Sequence, residues 1–117
     1  MYIQRHLEQY LERALVNHSV VILTGPRQVG KSTLLKNAPF LKDWRYLTLD
    51  DQDVLDQAEY DPKGLLKPAT PTIIDEIQRL PDLLLTIKLL VDNSWEDRKF
   101  ILSGSGNIAL RKTPRET

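Results

Sequence analysis

Gly25-Pro26-Arg27-Gln28-Val29-Gly30-Lys31-Ser32 is the stretch that decides the fold. It matches the pattern G-x-x-x-x-G-K-[ST], in which the glycines permit the torsions that turn successive amide N–H groups toward phosphate oxygens. The continuous apolar run 20–23 precedes it, and segment 31–37 has the pattern of a short helix. This strand, loop and helix context predicts a phosphate-binding loop.

The residues of this loop have separate expected roles. We expect Lys31 to reach the β- and γ-phosphates of a nucleotide and the Ser32 hydroxyl to be a ligand of Mg²⁺. Arg27 and Gln28 occupy variable positions and are expected to face solvent or a partner. The alternative is an ordinary glycine-rich turn with a solvated lysine, which the flanking strand and helix disfavour. The predicted nucleotide-binding residues are Gly25, Pro26, Arg27, Gln28, Val29, Gly30, Lys31, Ser32 and Thr33.

A second apolar run ends in two acids, Thr72-Ile73-Ile74-Asp75-Glu76. An aspartate at the carboxyl end of a strand beside the loop can hold Mg²⁺ through its water shell, so Asp75 is a predicted metal residue. Glu76 is then placed to polarise a water for attack on the γ-phosphate. Acids also close strands and cap helices without catalytic roles, but the preceding phosphate loop favours the functional interpretation. The sequence has no Asn-Lys-x-Asp segment, which argues against a GTPase.

Apolar periodicity predicts alternating helices and strands along the rest of the chain. An amphipathic helix is expected over about 3–16, and a single helical turn at 64–67. A further helix is expected to follow Asp53 and to end before Pro62, and another is expected from Pro81 to about Asn93. The predicted strands cover 20–23, 46–50, 72–76 and 100–103. This alternation is typical of an α/β three-layer domain with a parallel sheet.

Composition limits the classes of function. The 117 residues are 41% hydrophobic, which suits one domain, and the 16 basic and 16 acidic residues cancel. A net charge of zero gives no support to bulk attraction toward nucleic acid or an anionic membrane. The absence of cysteine excludes disulfides and thiolate metal sites and suits the cytoplasm. No apolar run approaches the roughly 20 residues of a membrane span, so no membrane association is expected.

Four motifs together resemble one family. They are the loop 25–32, Leu47-Thr48-Leu49-Asp50-Asp51, Ile73-Ile74-Asp75-Glu76-Ile77-Gln78 and Phe100-Ile101-Leu102-Ser103-Gly104-Ser105. They resemble the N-terminal ATPase core of the AAA-14 family, a branch of the AAA+ superfamily of P-loop NTPases. The resemblance implies a sheet of order 5-1-4-3-2, ATP or ADP with Mg²⁺, and self-association through AAA+ type interfaces. Residues 1–117 are then expected to be the N-terminal part of such a domain, ending before its fifth strand, arginine finger and helical lid.

The resemblance also implies a polar sensor residue at the end of the fourth strand. Ser103 is favoured because it follows the apolar residues of that strand, and Ser105 is the second candidate. Asn107 is a weaker third candidate. Serines beside glycines are also common in turns, and this interpretation stays open.

The function expected from these features is ATP binding with Mg²⁺, by an ATPase domain that couples hydrolysis to conformational change in a larger protein. Hydrolysis is expected to be weak in this chain without an arginine finger. The alternative is a nucleotide-gated binding or scaffold module with little turnover. A small-molecule kinase is less favoured, because neither an acceptor pocket nor an arginine-bearing lid is evident. The protein or nucleic-acid target is left open.

Overall fold

The computed structural model describes residues 2–24, 31–93 and 98–104, with side chains from residue 6 onward. In these ranges strands and helices alternate. The helices are α1 (Tyr2–Asn17), α2 (Lys31–Asn37), α3 (Gln52–Tyr60), α4 (Pro62–Leu65) and α5 (Leu83–Asn93). The strands are β1 (Val20–Thr24), β2 (Arg45–Thr48), β3 (Thr72–Asp75) and β4 (Phe100–Gly104). Short 3₁₀ turns cover Pro39–Leu41 and Ile77–Arg79.

The four described strands form one parallel sheet in the order β1-β4-β3-β2. Strand β4 lies in the centre, and its Ile101 is level with Val21 of β1 and with Ile73 of β3. The α/β fold with a parallel sheet is confirmed. The order agrees with the 1-4-3-2 part of the expected arrangement. The expected fifth strand, arginine finger and lid concern sequence outside the described ranges and stay expectations.

Two apolar clusters cover the two faces of the sheet, because successive strand side chains point to opposite faces. One cluster joins the sheet to α1 and α2, and the other joins it to α3, α4 and α5. The first is built on Leu11, Val21, Leu23, Leu34, Leu35, Ile73 and Ile101. The second is built on Ala58, Leu65, Ile74, Leu83, Ile87, Phe100 and Leu102. The helices therefore enclose the sheet in the predicted three layers.

Two predicted element boundaries are wrong around β2 and α4. The second strand covers Arg45–Thr48 instead of 46–50, because the chain turns where the Asp51 N–H donates to the Thr48 carbonyl at 3.1 Å. The helical turn expected at 64–67 lies at Pro62–Leu65. Proline suits the first position of a helix, and the Asp61 carboxylate caps this one by accepting from the Gly64 N–H at 3.1 Å.

The segment after β3 also differs from the prediction. A 3₁₀ turn at Ile77–Arg79 was not expected, and α5 begins at Leu83 instead of at Pro81. Pro81 lies in a preceding turn, where the Leu83 N–H donates to the Leu80 carbonyl at 3.0 Å.

In the described part of the chain, no helix combines the length and apolar character that a bilayer span requires.

Candidate nucleotide-binding site

The candidate site lies at the edge of the sheet where the parallel strands end. Thr24 at the end of β1 is level with Gly104 at the end of β4, and Asp75 ends the neighbouring β3. In open α/β sheets, ligands bind outside this carboxyl edge. The loop residues predicted to bind phosphate lie outside the described ranges, so their role stays a prediction. They are Gly25, Pro26, Arg27, Gln28, Val29 and Gly30.

Lys31 is the first residue of α2, and its side chain reaches back over the end of the sheet. The residue is only 6% exposed, and its Nζ donates to the carbonyl of Gly104, the last residue of β4. Burial of a polar group is costly unless it has a hydrogen-bond partner, and the Gly104 carbonyl supplies one. The structure therefore places the Lys31 amino group at the carboxyl edge of the sheet, and in sequence it directly follows the predicted phosphate loop.

Ser32 joins the start of α2 to the end of β3. Its Oγ donates to Oδ2 of Asp75 at 2.7 Å. A hydroxyl has one proton and two lone pairs, so this bond leaves the oxygen of Ser32 able to ligate a cation. Thr33, the last of the predicted nucleotide-binding residues, is exposed. The structure thus brings together the two predicted metal residues, Ser32 and Asp75.

Asp75 is 3% exposed, and each of its two carboxylate oxygens accepts two hydrogen bonds. Burial raises the pKa of Asp75, but the hydrogen bonds to its charged form outweigh burial and hold the pKa below its usual value. The donors to Oδ1 are the Ser103 hydroxyl and the Glu76 N–H, and the donors to Oδ2 are the hydroxyls of Ser32 and Tyr46. The carboxylate is therefore held in one orientation with its negative charge retained.

Ser103, the favoured sensor candidate, is fully buried in β4 and donates to Asp75. This contact places the Ser103 hydroxyl against the predicted metal residue, and β4 itself lies between β1 and β3. Ser105, the second sensor candidate, lies outside the described ranges, as does Asn107. The assignment of the sensor therefore stays a prediction.

Glu76 leaves the line of β3 abruptly. Its φ of 60° and ψ of 43° are left-handed, and it is the only described residue other than glycine with a positive φ. For a glutamate this conformation costs about 1–2 kcal/mol, and such strain is concentrated at functional sites. The side chain is 7% exposed, and its Oε1 accepts from Nε2 of Gln78 at 2.7 Å.

Sequence reasoning missed the contact between Gln78 and Glu76. Gln78 was only part of a family motif, and nothing in its spacing pointed to a role. Its Oε1 is buried and has no hydrogen-bond partner among the described residues. Since buried polar atoms are usually paired, this atom marks an incompletely satisfied contact beside the predicted base.

Tyr46 is a second residue that sequence reasoning missed. From β2 its hydroxyl donates to Oδ2 of Asp75 at 2.6 Å. Burial, this hydrogen bond and the nearby charges of Asp75 and Glu76 raise the pKa of Tyr46 well above its usual value. The signal available was strand alternation. Tyr46 is level with Ile73, which shares a sheet face with Asp75 two residues later.

A family model described as "AAA domain" matches residues 17–117 of the chain, which is most of its length. The chain belongs to this AAA-type domain family. The family lies within the P-loop NTPase superfamily, so the resemblance seen in the four motifs is confirmed. Membership in the AAA-type family indicates nucleotide binding.

Two curated mycobacterial proteins are similar to this AAA domain. They are Uncharacterized protein Mb2031c of Mycobacterium bovis and Uncharacterized protein Rv2008c of Mycobacterium tuberculosis. Each is 39% identical over 103 residues, which cover 83% of this chain and 22% of the relative. The chain thus spans about a fifth of the length of these relatives. No solved structure matches the chain.

Proposed function

We propose that this AAA domain binds ATP or ADP with Mg²⁺ at the carboxyl edge of its sheet and hydrolyses ATP to ADP and phosphate within a longer protein. The hydrogen bond between Ser32 and Asp75, beside buried Lys31, is the observation that carries this proposal. This hydrogen bond joins Ser32, the residue after Lys31, to Asp75 at the end of β3. Family membership supports the nucleotide, and this geometry supports the metal.

Lys31 is proposed to bind the β- and γ-phosphates. An ammonium group has three donors, so contact with Gly104 is compatible with donation to phosphate oxygens as well. Neighbouring amide N–H groups of residues 25–30 would complete the phosphate site. In this role Lys31 holds the triphosphate at the sheet edge and offsets its negative charge.

Ser32 and Asp75 are proposed to hold Mg²⁺, with Asp75 acting through bound water. The described residues contain no group of three or more His, Cys, Asp or Glu that could hold a metal. A P-loop magnesium site needs no such group, because phosphates and water supply most of the ligands. The donor set therefore fits. When bound, Mg²⁺ would supply positive charge that offsets the negative charge developing on the phosphate oxygens.

Glu76 is proposed to take a proton from the attacking water. It follows Asp75 directly, and its left-handed backbone directs the chain away from the strand at that point. Ser103 is proposed to contribute by holding Oδ1 of Asp75, and it remains the favoured sensor. Self-association through AAA+ type interfaces belongs to the same proposal and rests on the family alone.

A nucleotide-gated module with little turnover is the second candidate, and the contact of Glu76 with Gln78 favours it. Nε2 of Gln78 donates to Oε1 of Glu76 at 2.7 Å, so an attacking water competes with that donor for the oxygen. Turnover then requires this contact to loosen after nucleotide binds. The two candidates differ in hydrolysis rate and share the binding site.

The test compares Asp75→Asn with Glu76→Gln by calorimetry with ATP, with and without Mg²⁺, and by phosphate release from the full-length protein. Asp75→Asn should weaken Mg²⁺-dependent binding. Glu76→Gln should preserve binding within about 2-fold while lowering hydrolysis by about 10² to 10⁴. The exposed Glu59→Gln is the matched control and should change neither quantity.

Three results would decide between the candidates. Equal loss of ATP affinity in the Asp75 and Glu76 variants would contradict the proposed division of roles. Tight binding without turnover in the parent would favour the nucleotide-gated module. Absence of ATP binding in the parent would contradict both.

A further inference from the structure

Tyr46 connects the edge strand of the described sheet to the predicted metal site. It lies on β2, half-buried, with its ring packed against the cluster that also contains Leu34 and Ile73. The Nζ of Lys36 lies 5.5 Å from the ring centroid, which is a cation–π distance. The ring is therefore held by packing on α2 independently of its hydroxyl.

The hydroxyl of Tyr46 shares one acceptor with Ser32. It donates to Oδ2 of Asp75 at 2.6 Å, and Ser32 donates to the same oxygen at 2.7 Å. A carboxylate has about four acceptor positions and these donors use all four, so a water of the Mg²⁺ shell can bind Oδ2 only when the Ser32 hydroxyl turns from Oδ2 toward the cation. Ser103 and the Glu76 N–H hold only the other oxygen, Oδ1.

We propose that Tyr46 is a positioning residue for the Ser32 and Asp75 pair, and that its hydroxyl holds Oδ2 in the orientation that the Mg²⁺ water shell requires. This inference rests on the proposed function. It assigns to β2 a part in metal binding that neither the phosphate loop nor the acidic strand end supplies. Tyr46 touches neither nucleotide nor metal and acts through Asp75.

The physical reason is the loss of restraint that its removal would cause. Rotation of the carboxyl group about its last torsion is broad, so hydrogen bonds determine the direction of each oxygen. Without the phenol, Oδ2 retains only Ser32, whose hydroxyl must also ligate the cation. Partners that orient metal-binding groups typically change metal affinity by about 10- to 100-fold when removed.

The test uses Tyr46→Phe, which keeps the packed ring and its contact with Lys36 and removes only the hydroxyl. Affinity for a non-hydrolysable ATP analogue is measured by calorimetry in Mg²⁺ and in EDTA. The ratio of the two affinities should fall by about 10-fold in the variant, while the affinity in EDTA stays within about 2-fold. Tyr60→Phe, which removes a hydroxyl from a residue that is 92% exposed, is the control and should leave the ratio unchanged.

Each other outcome has a distinct meaning. An unchanged ratio in Tyr46→Phe would overturn the inference, as would an equal loss of affinity in Mg²⁺ and in EDTA. A larger ratio would also overturn it, because the phenol would then compete with the water shell for Oδ2. A parent chain that gains no affinity from Mg²⁺ would contradict the proposed metal site itself, and this result is visible without the variant.

Discussion

Replacing Asp75 with asparagine tests how much the hydrogen-bonded carboxylate contributes to the fold as well as to the site. We expect Asp75→Asn to lower the free energy of unfolding by about 2 kcal/mol at pH 7. Four hydrogen bonds now end on a charged acceptor, two on each oxygen. In the variant, the amide oxygen can still accept from the fixed Glu76 N–H, whereas the amide nitrogen cannot accept from Ser32 or Tyr46.

The magnitude follows from the change in bond type. Hydrogen bonds to charged groups contribute about 1.5–3 kcal/mol and neutral ones about 1 kcal/mol, so four bonds lose about 2–8 kcal/mol together. The variant recovers part of this loss, because it no longer buries a charge and the hydroxyls can turn to accept from the amide nitrogen. A net loss of about 2 kcal/mol corresponds to a melting temperature lower by roughly 8 °C for a domain of this size.

The loss should depend on pH in a defined direction. The pKa of Asp75 is lower in the folded than in the unfolded chain, so its stabilising contribution is complete above the unfolded value, about 3.9. The contribution is lost as pH falls through the folded pKa. The difference between parent and Asp75→Asn should therefore be constant between about pH 7 and pH 5 and shrink below about pH 4.

Urea unfolding of both proteins from pH 7 to pH 3 measures this difference. The control is Asp43→Asn, which changes an exposed aspartate and should have no effect beyond about 0.5 kcal/mol. A loss under about 0.5 kcal/mol at pH 7 for Asp75→Asn, or a loss that grows toward pH 3, would refute the account of a charged Asp75 held by four donors.

Three further predictions concern stability. Glu76→Gly should be more stable than Glu76→Ala by about 1 kcal/mol in urea unfolding, because only the alanine keeps a Cβ at a left-handed position. Equal stabilities of the two variants would contradict the inferred backbone strain at this position. Arg98→Ala should cost about 3 kcal/mol, since the buried guanidinium donates to carbonyls within segment 66–68, and thermal melting should show it. Arg79→Ala should cost less than about 1 kcal/mol, because its 3.3 Å pair with Asp50 is exposed, and a larger loss would contradict that assignment.

The fold was predictable because its main features follow from local patterns. Continuous apolar runs such as 20–23 and 100–102 are typical of strands buried on both faces, and the two strands are neighbours in the sheet. The loop pattern placed Lys31 at a strand-to-helix junction, and the two acids placed Asp75 at a strand end. Parallel strands then bring these ends to one edge without further information.

The missed features depend on contacts across the sheet or on backbone torsions. Strand alternation indicates which residues of β2 share a face, but Tyr46 reaches Asp75 only through the register of β2 with β3, and no local pattern gives that register. The left-handed torsions of Glu76 are unusual for a glutamate and are compensated by the surrounding packing. Gln78 contacts Glu76 because a 3₁₀ turn follows β3, where the sequence predicted a direct path to the next helix.

Binding of ATP to the parent chain and to Lys31→Ala, measured by calorimetry in Mg²⁺, tests the central claim most directly. Lys31 is buried at the sheet edge, and loss of its hydrogen bonds to phosphate should weaken binding by about 100-fold or more. Lys42→Ala removes an exposed lysine and serves as the matched control. Thermal melting of each variant confirms that it is folded. Binding by Lys31→Ala as tight as by the parent would show that nucleotide does not bind at this edge.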